Sequence, residues 1–458
     1  MKVSQKLIEK YNTPVPRYTS YPPANFFSPE FTPEQYVKVL EQSNSENPQN
    51  ISIYIHIPFC PKICYFCGCN THLTRDKNKM EVYVDALKKE IRMVKKLLSD
   101  DRKVSQVHWG GGTPNSLSIE LVEDIMNVIH ELFEFIPKPE IAMECHPAML
   151  DKDYIDRLVA LKFNRFSLGI QDFNKQVLDN VNRDPSILPE EDLVAMIRSH
   201  KGTSVNFDFI YGLPFQDEES FAKTIERAIS LSPDRLVTFS YAHVPWVKKA
   251  QKILDARGLP SATKKLAMFE VGYRLLTENG YDAIGLDHFA RPDDELSIAF
   301  KNKTLHRNFQ GYCTRETTGQ VYAFGSTGIS QLENAYAQNA KDTNTYVDQI
   351  NKGKFTIEKG YQLNATEKII RHVINEVMCN YYISWEEAAQ MLQTTPDVIK
   401  QSIVYDEAFL AGFVEEGLLT VSKDELHVSQ QGRFFVRNIA ASLDPNMRNA
   451  TLKFSKAL

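Results

Sequence analysis

The chain has 458 residues, 43% hydrophobic and 24% charged, the balance of a globular protein with room for roughly two or three domains. Its formal net charge of −5 excludes a global field that would draw it to nucleic acid or to a membrane surface, so an acidic ligand needs a local basic pocket. The opening MKVSQKLIEK is too polar for a secretory leader, and no apolar run approaches the ~18 residues of a membrane span, so a cytoplasmic protein with reduced thiols is expected.

Residues 1–35 carry Pro14, Pro16, Pro22 and Pro23 among Tyr18, Tyr21, Phe26 and Phe27, and read as an extended arm rather than a helical lead-in. A β/α rhythm follows. Strand-like runs occur at 51–57, 104–109, 140–144, 165–170, 204–211 and 235–240, each short, apolar and rich in β-branched or aromatic residues. Between them, Met80, Val84, Leu87, Ile91, Val94 and Leu98 mark one apolar helix face. Ser118 is placed to cap a second helix, and further helices are expected over 149–161, 188–200, 218–231 and 261–279. Alternating strands and helices imply a parallel sheet, open or closed into a barrel, with chemistry at the carboxyl ends of the strands.

From about residue 363 the pattern turns helical, over 366–380, 384–392 and 396–414, and closes on a hairpin at 418–432. Three helices and a wing resemble a winged-helix module. Yet residues 365–440 hold six Lys and Arg against eleven Asp and Glu, the wrong sign for a phosphate surface, so a structural lid or docking domain is expected.

Four of the seven cysteines lie in YIHIPFCPKICYFCGCN (54–70), directly after the first strand. Cys60, Cys64 and Cys67 form C-x3-C-x2-C, and Cys69 follows Gly68. Thiolates suit zinc or iron–sulfur centres, but a structural zinc site usually wants a second distant pair, which is absent from the sequence. Three thiolates suit a cubane cluster whose fourth iron stays open to a ligand; a closed four-thiolate site including Cys69 is the alternative. His56, at a strand end, is read as hydrogen-bonded structure before it is read as a ligand.

The triplet with Phe66 before its last cysteine resembles the radical S-adenosylmethionine (SAM) superfamily. There the open iron chelates the amino and carboxylate groups of SAM, and an electron splits it into methionine and a 5′-deoxyadenosyl radical. Further segments sharpen the likeness: PRYTSYPPA (16–24), VHWGGGTP (107–114), SLGIQDFN (167–174), FDFIYGLP (207–214), FSYAH (239–243), GLDHFARPDDEL (285–296) and HRNFQGY (306–312). Together they resemble the oxygen-independent coproporphyrinogen III oxidases, also called coproporphyrinogen dehydrogenases, from residue 7 almost to the end.

That resemblance implies an α/β fold: a partial (β/α)6 TIM-like barrel (36–362, with its extension), an N-terminal arm (1–35), and a mainly α C-terminal domain with a small wing (363–458). It implies oxidative decarboxylation of two propionates of coproporphyrinogen III to vinyl groups, giving protoporphyrinogen IX in haem biosynthesis. It implies a [4Fe–4S] cluster on Cys60, Cys64 and Cys67, and two SAM molecules. Tyr54, Phe66, Gly111, Glu144 and Ile329 would contact the first SAM; Gly112, Thr113, Gln171, Arg183, Asp208 and Ala242 the second. Cys69 is not expected to be a ligand, and no side chain is assigned as a catalytic acid or base. Arg17, Arg291, His306 and Arg307 lie in matched segments and suit the substrate carboxylates. A monomer served by a flavodoxin- or ferredoxin-type electron donor is expected. The rival within the family is a haem-binding relative without decarboxylase activity; the arm and HRNFQGY argue against it. Two departures touch the site: Cys145-His146-Pro147, where relatives more often carry Asp or Asn before the proline, and Asp184-Pro185 after Asn182-Arg183, where a glutamine is usual.

Overall fold

The computed structural model of the chain describes residues 4–314, 319–448 and 454–456. It divides into two compact units, one of Ser28–Leu275 with Arg315–Gln362, the other of Met1–Phe27, Leu276–Thr314 and Leu363–Leu458. Among the described residues no helix is long and apolar enough to cross a membrane.

The larger unit is built on the six expected strands: β1 (Ile51–Ile57), β2 (Val104–Gly111), β3 (Phe135–Cys145), β4 (Arg165–Gln171), β5 (Ser204–Tyr211) and β6 (Arg235–Ser240). They pair in chain order, all parallel. Helices cross between them: Lys77–Lys95 (α1), Ile119–Leu132 (α2), Lys152–Ala160 (α3), Lys175–Asn180 (α4), Glu190–Arg198 (α5) and Glu218–Leu231 (α6). Buried on both faces, such strands read as near-continuous apolar runs, and Ile51, Ile53, Ile55 and Ile57 of β1 are all buried. Local chemistry sets the helix starts: Asp76, Asp151 and Asp217 accept the backbone N–H of Lys79, Tyr154 and Ser220. Ser118 occupies the N-cap of α2 as expected, but its hydroxyl makes no capping bond.

Strand β3 begins five residues earlier than the apolar run suggests. Pro137 and Pro139 lie in that extra stretch, and the register with β2 shifts between Val104 and Gln106, because proline cannot donate to a ladder. On the other edge of β1 lies a strand that no local sequence pattern announces, β7 (Gln320–Phe324), parallel to β1 and buried throughout. From it an antiparallel meander runs through β8 (Ile329–Gln331), β9 (Ala335–Asn339) and β10 (Ile357–Gln362). Glu90 of α1 ties this meander down: its carboxylate accepts from Gly325 N (2.8 Å), Asn339 Nδ2 (2.7 Å) and the Tyr346 hydroxyl (2.6 Å).

In the smaller unit the arm is not wholly extended. Gln5–Tyr11 is helical, capped by Ser4, and buries Leu7, Ile8 and Tyr11, a pattern masked by the prolines that follow. Beyond it the arm is held by polar anchors. Tyr18 and Tyr21 hydroxyls donate to the Asp444 carboxylate (2.9 and 3.0 Å), and Arg437 Nε donates to the Pro16 carbonyl (3.1 Å). The helix expected over 396–414 is two, Pro396–Ser402 and Glu407–Glu415; Ile403 turns extended and Asp406 caps the second. With Tyr382–Ser384, Leu419–Val421 and Glu425–Val428 as a three-stranded sheet, the wing is present.

Candidate active site

Strand register brings the motifs to one end of the sheet. Tyr54 of β1 lies opposite His108 of β2, and Glu144 of β3 opposite Ser167 of β4. His108 Nε2 and Glu144 Oε1 are 3.1 Å apart. Ser167 Oγ donates to Asp208 Oδ2 (2.8 Å) and Asn206 Nδ2 to Asp208 Oδ1 (2.9 Å), which fixes that carboxylate on β5.

The glycine run closes on its own neighbours. A Cβ on Gly110 would stand 2.8 Å from Glu144 Oε1, one on Gly111 2.6 Å from the His56 ring, and one on Gly112 2.8 Å from the Phe59 carbonyl. Gly111 also has φ +112°, a conformation that side chains disfavour. The glycines therefore let β1, β2 and β3 converge beneath the loop. Both ring nitrogens of His56 have hydrogen-bond partners. Its Nε2 lies 3.3 Å from the Asn70 carbonyl and its Nδ1 3.1 Å from the Tyr54 hydroxyl, and burial pushes its pKa down to about 4.

The cysteine loop leaves β1 and is pinned from three directions. Thr113 Oγ1 lies 3.3 Å from Cys60 Sγ, and Thr113 N donates to the Phe59 carbonyl. From beyond α4, Tyr65 N bonds the Val181 carbonyl (2.9 Å) and Asn182 Nδ2 the Ile63 carbonyl (2.8 Å). From beyond β6, Gln251 Nε2 donates to the Phe66 carbonyl (3.0 Å) and Lys248 Nζ to the Cys69 carbonyl (2.6 Å). Phe66 and Tyr65 pack on the buried cluster of Val177, Val181, Leu213, Tyr241 and Leu254. Motif reading missed Asn182, Lys248 and Gln251.

Cys60 is buried, Cys64 and Cys67 half-buried and Cys69 exposed. Burial pushes the Cys60 thiol up to about 11 and raises Cys64. A hydrogen bond with Cys69 brings Cys67 down to about 6, and Cys69 rises correspondingly. Arg183 Nη1 stands 3.8 Å from Cys64 Sγ, its Nη2 donates to the Gly169 carbonyl, and its buried Nε has no partner. Gly169 makes room for both Arg183 and Gln171, whose Nε2 would sit 2.8 Å from a Cβ there; Gln171 itself holds φ +68°. Ala242 is exposed just past β6, and half-buried Ile329 opens β8. At the two departures, Asn115 brackets His146 through both its N–H (2.9 Å) and its carbonyl (3.1 Å), and Asp184 pairs with Lys62 of the cysteine loop (2.7 Å).

A Radical SAM superfamily model matches residues 54–228. The chain is 42% identical over 464 residues to an oxygen-independent coproporphyrinogen III oxidase of Synechocystis sp., covering 100% of this chain and 98% of that protein. It is 40% identical over 445 residues to the Escherichia coli K12 protein of the same name, covering 96% and 95%. The chain belongs to the oxygen-independent coproporphyrinogen III oxidase family. A solved structure of coproporphyrinogen III oxidase from Escherichia coli, described as a radical SAM enzyme, aligns with a TM-score of 0.89 at 38% identity, covering 97% of this chain and 99% of that one. The fold is accordingly the α/β radical SAM fold with an extra helical C-terminal region, as the sequence led us to expect.

The superfamily implies an iron–sulfur cluster and SAM, and the donors present fit that pair. Among the described residues no three His, Cys, Asp or Glu side chains converge on a single metal ion. Three thiols spread along one pinned loop suit a multi-iron cluster, which holds its ligands wider apart than one ion does. The unpartnered Arg183 Nε beside them is a donor awaiting an acceptor. Because Gln251 is buried and clamps the loop, Gln251→Ala is expected to speed iron loss to a chelator roughly tenfold; an unchanged rate would show that the loop is held elsewhere.

Proposed function

We propose that Cys60, Cys64 and Cys67 hold a [4Fe–4S] cluster with one iron left for SAM, and that the chain decarboxylates coproporphyrinogen III to protoporphyrinogen IX with two SAM molecules bound. What carries this reading is the cysteine loop itself: Cys60, Cys64 and Cys67 are spread along one pinned loop at the carboxyl ends of the parallel strands, and Cys69 is exposed. When bound, cluster and SAM supply a primary-carbon radical able to take a hydrogen from a propionate β-carbon; CO2 and one further electron then leave, and a vinyl group remains.

The chain's own residues hold and shield. Tyr54, Phe66, Gly111, Glu144 and Ile329 contact the first SAM, with Glu144 an acceptor for hydroxyls. Gly112, Thr113, Gln171, Arg183, Asp208 and Ala242 contact the second, where Arg183 meets a carboxylate and Asp208 accepts hydrogen bonds. No side chain need act as a strong acid or base, and exclusion of water and stray hydrogen donors is the main demand. Arg17 and Arg307 serve a substrate carboxylate. They lie around one buried carboxylate, Asp287, with Arg17 Nη2 3.6 Å from its Oδ2, and both have an unpartnered buried Nε. Anaerobic incubation with coproporphyrinogen III, SAM and dithionite is expected to yield protoporphyrinogen IX and two CO2 per tetrapyrrole by mass spectrometry. Tight haem binding with no CO2 release would replace this reading with that of a haem carrier.

A further inference from the structure

Resting on the reading above, we propose that the outer face of the cysteine loop docks a small, acidic, one-electron carrier protein. Two segments flank that loop and touch it directly. Residues 72–75 pair with it, Phe59 opposite His72 and Cys60 opposite Leu73, and Arg75 Nε donates to the Pro61 carbonyl (3.3 Å). Residues 246–252 meet its other end, where Lys248 Nζ donates to the Cys69 carbonyl (2.6 Å).

Apart from buried Gln251, both segments are exposed or half-buried, and their charge is mainly of one sign. Residues 72–79 and 246–252 hold six Lys and Arg against one carboxylate, Asp76, in a chain whose net charge is −5. Asp76 is engaged as the N-cap of α1. Within this basic rim stand large apolar side chains in solvent: Leu73 at 65%, Trp246 at 63% and Val247 at 63% exposure. An apolar centre inside a charged rim is the anatomy of a protein interface, and tryptophan is a frequent anchor of one. The chemistry explains its place. Each SAM cleavage consumes one electron, so a reduced carrier must lose one electron to the cluster. The Pro61 and Cys69 carbonyls held by Arg75 and Lys248 lie one and two residues from proposed ligands Cys60 and Cys67. An acidic carrier bound here is steered by the rim and delivers through the loop.

The test uses full-length protein, a purified bacterial flavodoxin as probe, and calorimetry at low and high salt. Wild type is expected to bind at low salt and weaken as salt rises. Charge reversal at Lys77, Lys79, Lys249 and Lys252 together, or Trp246→Ala alone, is expected to raise Kd about tenfold or more. Turnover driven by dithionite should stay at the wild-type rate in both variants, while turnover driven by reduced flavodoxin falls. Wild type that does not bind, variants that bind as wild type does, or a single-stranded oligonucleotide bound as tightly as flavodoxin would each overturn the proposal. Lack of dithionite-driven turnover in wild type would instead count against the decarboxylase reading, and binding would still judge the surface.

Discussion

Replacing Cys60, Cys64 or Cys67 by alanine is expected to remove iron from the anaerobically purified protein and to lower product formation by more than about a thousandfold, roughly 4 kcal/mol of transition-state stabilisation. Cys69→Ala is expected to keep its iron and most of its brown colour. Cys60 is buried beside Thr113, Cys64 lies under Arg183, and Cys67 has its thiol pKa lowered by a hydrogen bond with Cys69, whereas Cys69 itself is exposed. Cys69→Ala removes that bond, so a modest loss of turnover fits a supporting role. Iron loss in the Cys69 variant equal to that in the other three would show a closed four-thiolate site with no corner for SAM.

The second large effect is on stability. Glu140 of β3 lies at the opposite end of the sheet, with Arg165 Nε at 2.6 Å and Arg235 Nη1 at 3.7 Å, while Gln106 Nε2 donates to its other oxygen (2.7 Å). These three side chains come from β2, β4 and β6, so one carboxylate joins four strands. Glu140→Ala takes the shared carboxylate away from two little-exposed guanidinium groups and is expected to cost about 3–5 kcal/mol in urea unfolding. A loss under about 1 kcal/mol would show that water or other partners replace it. Against the cost of burial, the charges of Arg165 and Arg235 hold the Glu140 carboxyl well below the usual carboxylate range. The unfolded chain takes up this proton near the ordinary value of 4.5, where the folded chain does not. The stabilisation is therefore present above that pH and fades as pH falls toward the folded value. Acid unfolding of wild type should steepen below about pH 4.5 relative to Glu140→Gln.

Strands β1 to β6 were legible because parallel strands buried on both faces must be apolar almost throughout. β7 and β9 were not. QVYAF and AYAQN are short and mix Gln, Ala and Asn with aromatics, and their burial comes from partners that no local pattern announces. The helix Gln5–Tyr11 was hidden by the prolines after it, and the break at Ile403 by an apolar period that runs through it. In the site, the cysteine spacing and the glycine run could be read because the chemistry is local in sequence. Asn182, Lys248 and Gln251 could not, because each bonds a backbone carbonyl more than a hundred residues away. A polar side chain on a loop carries no sign of which distant carbonyl it will meet. The glycines also have a second reason that only the fold reveals, since His56, Glu144 and Phe59 already occupy the space a Cβ would need.

Electron paramagnetic resonance of the dithionite-reduced protein, before and after SAM is added, tests most directly whether one iron is open. A clear change in the cluster signal on addition of SAM is the result expected. A spectrum that SAM leaves untouched, or zinc found in place of iron, would contradict the account.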